Sequence, residues 1–220
     1  MHRYAIIAAA GSGSRMGKET PKQFLEVGGK TLLQHTIDAF EQAYDDMRFI
    51  IVLPKDHIKK QKQVFADSSK ITIAEGGDTR FHSVKNGLDT MTGDDSIVFV
   101  HDAARCLVTA ELIRRCGDAA AEKGSAIPVA DMHDSLRYVD ETGSKALNRN
   151  LVKAVQTPQT FRLKLLKQAF EQEYNPSFTD EATVMEAAGH ALHFVPGETT
   201  NIKITTPFDL QLATLILGAH

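Results

Sequence analysis

Cysteine is scarce in this chain: Cys106 and Cys116 are its only two in 220 residues. Neither a disulfide framework nor a zinc-binding spacing can be built from them, and the pair fits a reducing, cytoplasmic setting. An excess of charge of one sign is also missing, since the formal charge is −3 with 24% charged residues. A general nucleic-acid binder is thereby excluded, and any anion site must come from cations clustered locally. Long apolar runs are absent too. No segment approaches the ~20 apolar residues that span a bilayer. The apolar run at 4–10 is too short for a signal-peptide core and leads directly into glycines. There is no internal repeat, linker or low-complexity tract. The chain therefore reads as a single α/β domain over residues 1–220, intracellular, with no membrane or nucleic-acid partner.

What the sequence does have begins at Tyr4, where an apolar strand runs into Ala8, Ala9, Ala10, Gly11, Ser12, Gly13, Ser14 and Arg15. Small residues let backbone approach a ligand, with N–H groups free to face phosphate oxygens. Arg15 and Lys22 add two cations to the same loop, which suits a polyphosphate. Two familiar phosphate motifs fail here. A dinucleotide fingerprint needs a third glycine where Met16 stands. A P-loop needs one more residue before Gly17-Lys18, and a Ser or Thr where Glu19 stands. Pro21 implies that the loop runs on to about residue 22 before any helix starts.

Non-alternating apolar runs at 4–9, 49–53, 71–74, 97–100 and 125–129 read as strands buried on both faces. Helical patterns near 31–44, 56–66, 80–91 and 109–123 lie between them, with Thr109 as an N-cap. This alternation predicts a mostly parallel, doubly wound sheet with flanking helices and ligands at the carboxyl ends of strands. Further helices near 162–174 and 179–188, a strand at 191–195 and a helix near 207–217 complete the domain. Residues 131–160 break the rhythm. Two extended legs, 135–139 and 151–155, separated by a turn and a polar stretch, predict a projecting β-arm that packs on a second subunit.

Candidate chemistry follows the strands. Gly76-Gly77-Asp78 brings backbone close to a ligand, and Asp78 and Ser83 can bond a base or sugar. His101-Asp102 closes a strand, where Asp102 is placed to hold Mg²⁺ against triphosphate oxygens. Arg105 can grip a second phosphate, whereas His101 reads as structural. Lys203, on a short strand 201–207, points away from Ile202 and Ile204, toward solvent or a site. Thr157 and Thr179 offer hydroxyls, with a helix cap as the plain role for Thr179.

In this order the segments resemble the 2-C-methyl-D-erythritol 4-phosphate cytidylyltransferases of the non-mevalonate isoprenoid pathway. The matching runs are 9–16, 21–24, 76–78, 101–105, Arg149, 157–159, 179–182 and 201–203. The resemblance implies a Rossmann-like nucleotidyltransferase, a homodimer through interlocked arms, that moves CMP from CTP to methylerythritol phosphate and releases pyrophosphate. It implies that Ala8, Ala9, Ala10, Gly11, Gly13, Gly77, Asp78 and Ser83 hold the nucleotide. Arg15 and Lys22 would stabilise charge at the α-phosphorus, Asp102 would bind Mg²⁺, and Arg149 and Lys203 would orient the attacking phosphate, Arg149 from the partner's arm. Ala103, Arg105, Ser135, Thr157 and Thr179 would hold the sugar phosphate. The sequence departs from the family habit at Ala8 and Cys106, both usually Pro, and at Ser135, usually Thr, which keeps the hydroxyl. A sister group acting on ribitol 5-phosphate would share the triphosphate site, but the Ala-Ala-Gly start favours methylerythritol phosphate.

Overall fold

A computed structural model describes residues 1–11, 21–93 and 95–218. Gly13 and Arg15 lie outside the described residues. In chain order come β1 (His2–Ala8), β2 (Glu26–Val27), β3 (Lys30–Thr31), α1 (Leu32–Ala43), β4 (Arg48–Leu53) and α2 (Lys55–Val64). Then follow β5 (Ile71–Glu75), α3 (Arg80–Asp89), β6 (Ser96–Asp102), α4 (Ala110–Lys123), β7 (Ser125–Asp131), β8 (Leu136–Asp140) and β9 (Gly143–Leu147). The remainder is β10 (Lys153–Val155), β11 (Gln159–Arg162), α5 (Leu163–Ala169), α6 (Glu181–Ala187), β12 (Phe194–Pro196) and α7 (Pro207–Gly218).

The main sheet runs β10-β7-β11-β6-β1-β4-β5, with β12 also on β7. Strands β5, β4, β1 and β6 are parallel, whereas β11 runs antiparallel to both β6 and β7. Strand order reverses between β1 and β6, since the chain goes from β1 outward to β4 and β5 and then returns to the far side of β1. Such a switch point opens a crevice at the carboxyl ends of the two strands. Here those ends are Ala8 and Asp102, paired in register.

Successive residues of β1 face opposite layers. Ala5 and Ile7 pack with Leu33, Ile37 and Phe40 of α1 and Leu112 and Ile113 of α4. Ile6 packs instead with Phe81, Val84 and Leu88 of α3 and Leu163 and Leu166 of α5. Each fully buried Leu or Phe contributes roughly 1.5–3 kcal/mol of burial, so the two layers hold both faces of the sheet. A third cluster joins Val27, Leu32 and Leu107 to Ile204 and Ala213 of α7. The β2–β3 hairpin turns at Gly28 and Gly29, both at positive φ (58° and 80°), as a two-residue turn of the primed type requires.

Several expectations need correction. Residues 201–205 form no strand; Ile204 N–H bonds only Ala104 O, at 2.8 Å, and no ladder develops. The second leg of the arm is Gly143–Leu147, directly after the turn, paired to Leu136–Asp140. Lys153–Val155 leaves the arm for the edge of the main sheet, against Val129–Asp131. The run 151–155 looked like the arm's return leg because β-propensity does not reveal which edge a strand joins. Helix α5 stops at Ala169, not near 174, where Gln172 Nε2 donates to Ala169 O at 2.7 Å and closes the end. The N-cap of α6 is Asp180, not Thr179, in a capping box with Thr183. Thr109 does cap α4, accepting from Leu112 N–H.

Candidate active site

At the switch point lies a cleft of about 500 Å³. One wall is the backbone of Ala8, Ala9, Ala10 and Gly11, leaving β1. Gln23 holds it from below: its amide donates to Ala9 O at 2.6 Å and to Gly11 O at 3.5 Å. The opposite wall is Gly77, Asp78, Thr79, Arg80 and Ser83. Ser83 Oγ accepts from Gly77 N–H at 3.0 Å, and Thr79 caps α3 through His82 N–H. A Cβ at Gly76 would stand 2.5 Å from Ala10 Cβ, so only glycine lets the two walls approach this closely.

The floor carries charge. Asp102 Oδ2 meets Lys203 Nζ at 2.8 Å and Arg105 Nε at 3.7 Å, while Oδ1 faces Arg80 Nη2 at 3.4 Å. Burial alone would raise the Asp102 pKa, but Arg80, Lys203 and Arg105 hold it well below the usual carboxylate range. Lys203 reaches the cleft because Ile204 beside it is buried under α7, which turns the neighbouring side chain the other way. Lys22 lies on the same rim and its Nζ donates to Ile204 O at 2.9 Å. Two cations far apart in sequence thus converge on the end of β6.

Below Asp102 a neutral relay fixes its backbone. Asp102 N–H donates to Thr157 Oγ1 at 3.1 Å, and that hydroxyl lies 3.0 Å from His101 Nδ1. His101 Nε2 faces Arg105 O at 3.2 Å. One tautomer satisfies every group: Nε2–H donates to the carbonyl and Nδ1 accepts from the hydroxyl. Burial lowers the His101 pKa to about 4, with Arg105 and Arg80 adding to the effect and Asp102 opposing it. Because the folded state resists protonation, this stability is present above pH 6.5 and is lost as pH falls toward 4. The wild-type advantage over His101→Asn should therefore shrink across that window by up to about 3 kcal/mol. Urea unfolding of both proteins at several pH values measures it, and a constant difference would reject the assignment.

Ala8, Ala9, Ala10, Gly11, Lys22, Gly77, Asp78, Ser83, Asp102, Ala103 and Lys203 are brought together around the cleft. Arg105 lies alongside, its Nη1 donating to Asn201 O at 2.8 Å. Thr157 is buried beneath the floor, its hydroxyl engaged with Asp102 and His101. Thr179, Ser135 and Arg149 are exposed and do not line the cleft; Arg149 Nη1 donates to His133 O at 2.6 Å at the base of the arm. Sequence reasoning missed Arg80, Gln23 and Glu181. Arg80 was readable only as the last residue of the 76–80 turn, where Asp78 was the plain candidate cap and Thr79 in fact caps α3, and its partners are 22 and 101 residues away.

The sequence model of the 2-C-methyl-D-erythritol 4-phosphate cytidylyltransferases matches residues 3–219. The chain belongs to that family. A cytidylyltransferase of that name from Bacteroides thetaiotaomicron is 47% identical over 221 residues, covering 99% of this chain and all of the relative. One from Rubrobacter xylanophilus is 40% identical, covering 98% and 95%. Among solved structures, the 4-diphosphocytidyl-2C-methyl-D-erythritol synthase of Anaerococcus prevotii superposes with a TM-score of 0.84 at 29% identity, covering 99% of this chain and 98% of that one. The Thermus thermophilus cytidylyltransferase gives 0.79 at 32% identity, covering 98% of each. Cytidylyl transfer is the activity of that family. Among its described helices none is long and apolar enough to cross a membrane.

Proposed function

We propose that this cytidylyltransferase works by direct in-line attack of the methylerythritol phosphate on the α-phosphate of CTP, with pyrophosphate leaving. The observation that carries the reading is the convergence of Lys22, Lys203 and Asp102 at one strand end, between two close backbone walls. The attacking phosphate is already anionic near neutral pH, so no general base is needed. Repulsion between two polyanions is the obstacle, and fixed cations remove it while holding the atoms in line.

On this reading Ala8–Gly11, Gly13, Gly77, Asp78 and Ser83 hold the cytidine part. Lys22 with Arg15 would neutralise charge developing at the α-phosphorus, and Lys203 would orient the attacking phosphate. Ala103 and Arg105 would hold the sugar phosphate with Thr179 nearby, outside the cleft lining, and Thr157 would support the floor through Asp102. A lone, strongly ionised carboxylate at a strand end suits Mg²⁺, which takes one or two carboxylates and completes its shell with substrate phosphates. When bound through Asp102, that ion would supply neutralisation of the triphosphate charge.

The arm exposes Tyr138 and Leu147 on one side of the ribbon and Val139 on the other, apolar surface enough to pack on a second copy. We infer a homodimer in the cytoplasm, with Ser135 and Arg149 delivered to the partner's acceptor pocket. Arg149→Ala is expected to raise the KM for methylerythritol phosphate at least ~10-fold with little change for CTP; unchanged kinetics would reject a role for the arm. Gly76→Ala should raise the KM for CTP at least ~10-fold, because the added methyl forces the walls apart.

The test of the whole reading is pyrophosphate release by the purified protein with CTP and each candidate polyol phosphate, with ATP, GTP and UTP as controls. Release with CTP and methylerythritol phosphate is expected. Release only with ribitol 5-phosphate would transfer the assignment to the sister group.

A further inference from the structure

Arg80 enters the cleft wall from the first turn of α3 and is fixed from behind by a carboxylate that is itself buried. Glu181, 1% exposed at the start of α6, accepts from Arg80 Nη2 at 2.9 Å. That helix start cannot drift, because Gln159 of β11 donates to Asp180 Oδ2 and accepts from Ala182 N–H, both at 2.8 Å. From this anchor the guanidinium reaches Asp102 Oδ1 at 3.4 Å, while Arg105 and Lys203 occupy the side of Oδ2. Any anionic group seated over Asp102 therefore has Arg80 on its nucleotide side and Arg105 with Lys203 on its acceptor side. Arg80 lines the cleft with a quarter of its side chain exposed, and its buried Nη1 has no hydrogen-bond partner among the described residues.

We propose that Arg80 contacts the phosphoryl group in transit and that Glu181, which touches no ligand, is the positioning residue that holds it there. The proposal rests on the cytidylyl-transfer reading above. Glu181 explains why a buried charge is kept: it holds Arg80 when Asp102 turns to another partner, so the guanidinium does not swing away with it. A planar guanidinium tied through Nη2 to Glu181 keeps one orientation beside Asp102, which a flexible ammonium would not do.

Four variants test this: Arg80→Gln, Glu181→Gln, the double variant, and Arg80→Lys. Each is measured for melting temperature, CTP affinity by calorimetry, and kcat and KM for both substrates. Arg80→Gln should lower the melting temperature, since Glu181 loses its counter-charge; adding Glu181→Gln should restore it, because a neutral pair needs none. In the double variant kcat should remain at least ~30-fold below wild type, with KM and the CTP Kd within about threefold, the pattern of a contact made in the transition state. Glu181→Gln alone should lose about 5–10-fold in kcat, since its amide oxygen still accepts from Arg80 but without charge. Arg80→Lys should recover part of the loss, because the charge is kept but not the fork. A double variant with restored melting and wild-type kcat would overturn the role of Arg80. A weakened CTP Kd with unchanged kcat would show a ground-state nucleotide contact instead, and an unchanged kcat in Glu181→Gln would remove the positioning role. Failure of the wild-type protein to transfer CMP would appear before any variant and would strike the functional reading alone.

Discussion

Replacing Lys22 with alanine is expected to lower kcat at least ~10²-fold, the scale for losing one preorganised donor to developing charge. The ammonium is held in place, not merely nearby. Its bond to Ile204 O ties the 21–24 turn to the segment that carries Lys203, so two cations share one support. Deleting Lys22 removes one charge and loosens the other. Lys22→Gln, which can still donate to that carbonyl, should keep Lys203 placed and recover little of the rate. Single-turnover measurement of CMP transfer separates the chemical step from product release. Wild-type turnover in Lys22→Ala would overturn the placement of the reacting phosphorus, and Arg15→Ala carries the same expectation.

Asp102→Asn is expected to have the other large effect, on activity and stability together. The amide keeps the shape of the carboxylate but leaves Arg80, Arg105 and Lys203 within 2.8–3.7 Å of a neutral group. Breaking a buried pair costs roughly 3–5 kcal/mol. Lys203 is 41% exposed here, and solvent screening reduces the expected loss to roughly 1–3 kcal/mol. At about 2–4 °C per kcal/mol for a chain of this size, a fall of several degrees in melting temperature follows. kcat should drop at least ~10²-fold, because an amide does not replace a carboxylate toward a magnesium–triphosphate. The pH dependence supplies a second check. A depressed carboxylate contributes stability that is present above its unfolded value, near 3.8, and lost as pH falls below it. Wild type and variant should therefore differ at neutral pH, and the gap should narrow steadily as pH falls below 3.8 toward the depressed folded-state value; a gap that stays constant from about pH 5 to about pH 2.5 would mean that the Asp102 charge is not its source.

The parallel core was legible in the sequence because a strand buried on both faces must be apolar throughout. Residues 49–53 and 97–100 could hardly be read otherwise. The Lys203 side chain could also be read, since alternation along extended backbone sets it opposite Ile204 whether or not a ladder forms. The return leg of the arm could not. Gly143–Leu147 is exposed along its whole length, and a strand that pairs only with the nearly as exposed β8 leaves no apolar period to find. Gln159 was visible only as part of a motif. Its two bonds to the start of α6 depend on a residue more than twenty positions later being brought beside it.

By itself the sequence determined that this is a doubly wound α/β chain of the methylerythritol phosphate cytidylyltransferase family. Hydrophobic period, glycine spacing and the order of short motifs are local properties, and local chemistry suffices to state them. Only the tertiary structure decided that Asp102 is ringed by Arg80, Arg105 and Lys203, that Thr157 supports its backbone instead of lining the cleft, and that Glu181 backs Arg80. Those are pairings between side chains on different elements. They arise when the sheet twists β6 beside β1 and packs α3 and α6 on one face, and no spacing along the chain encodes how far apart their charges come to rest.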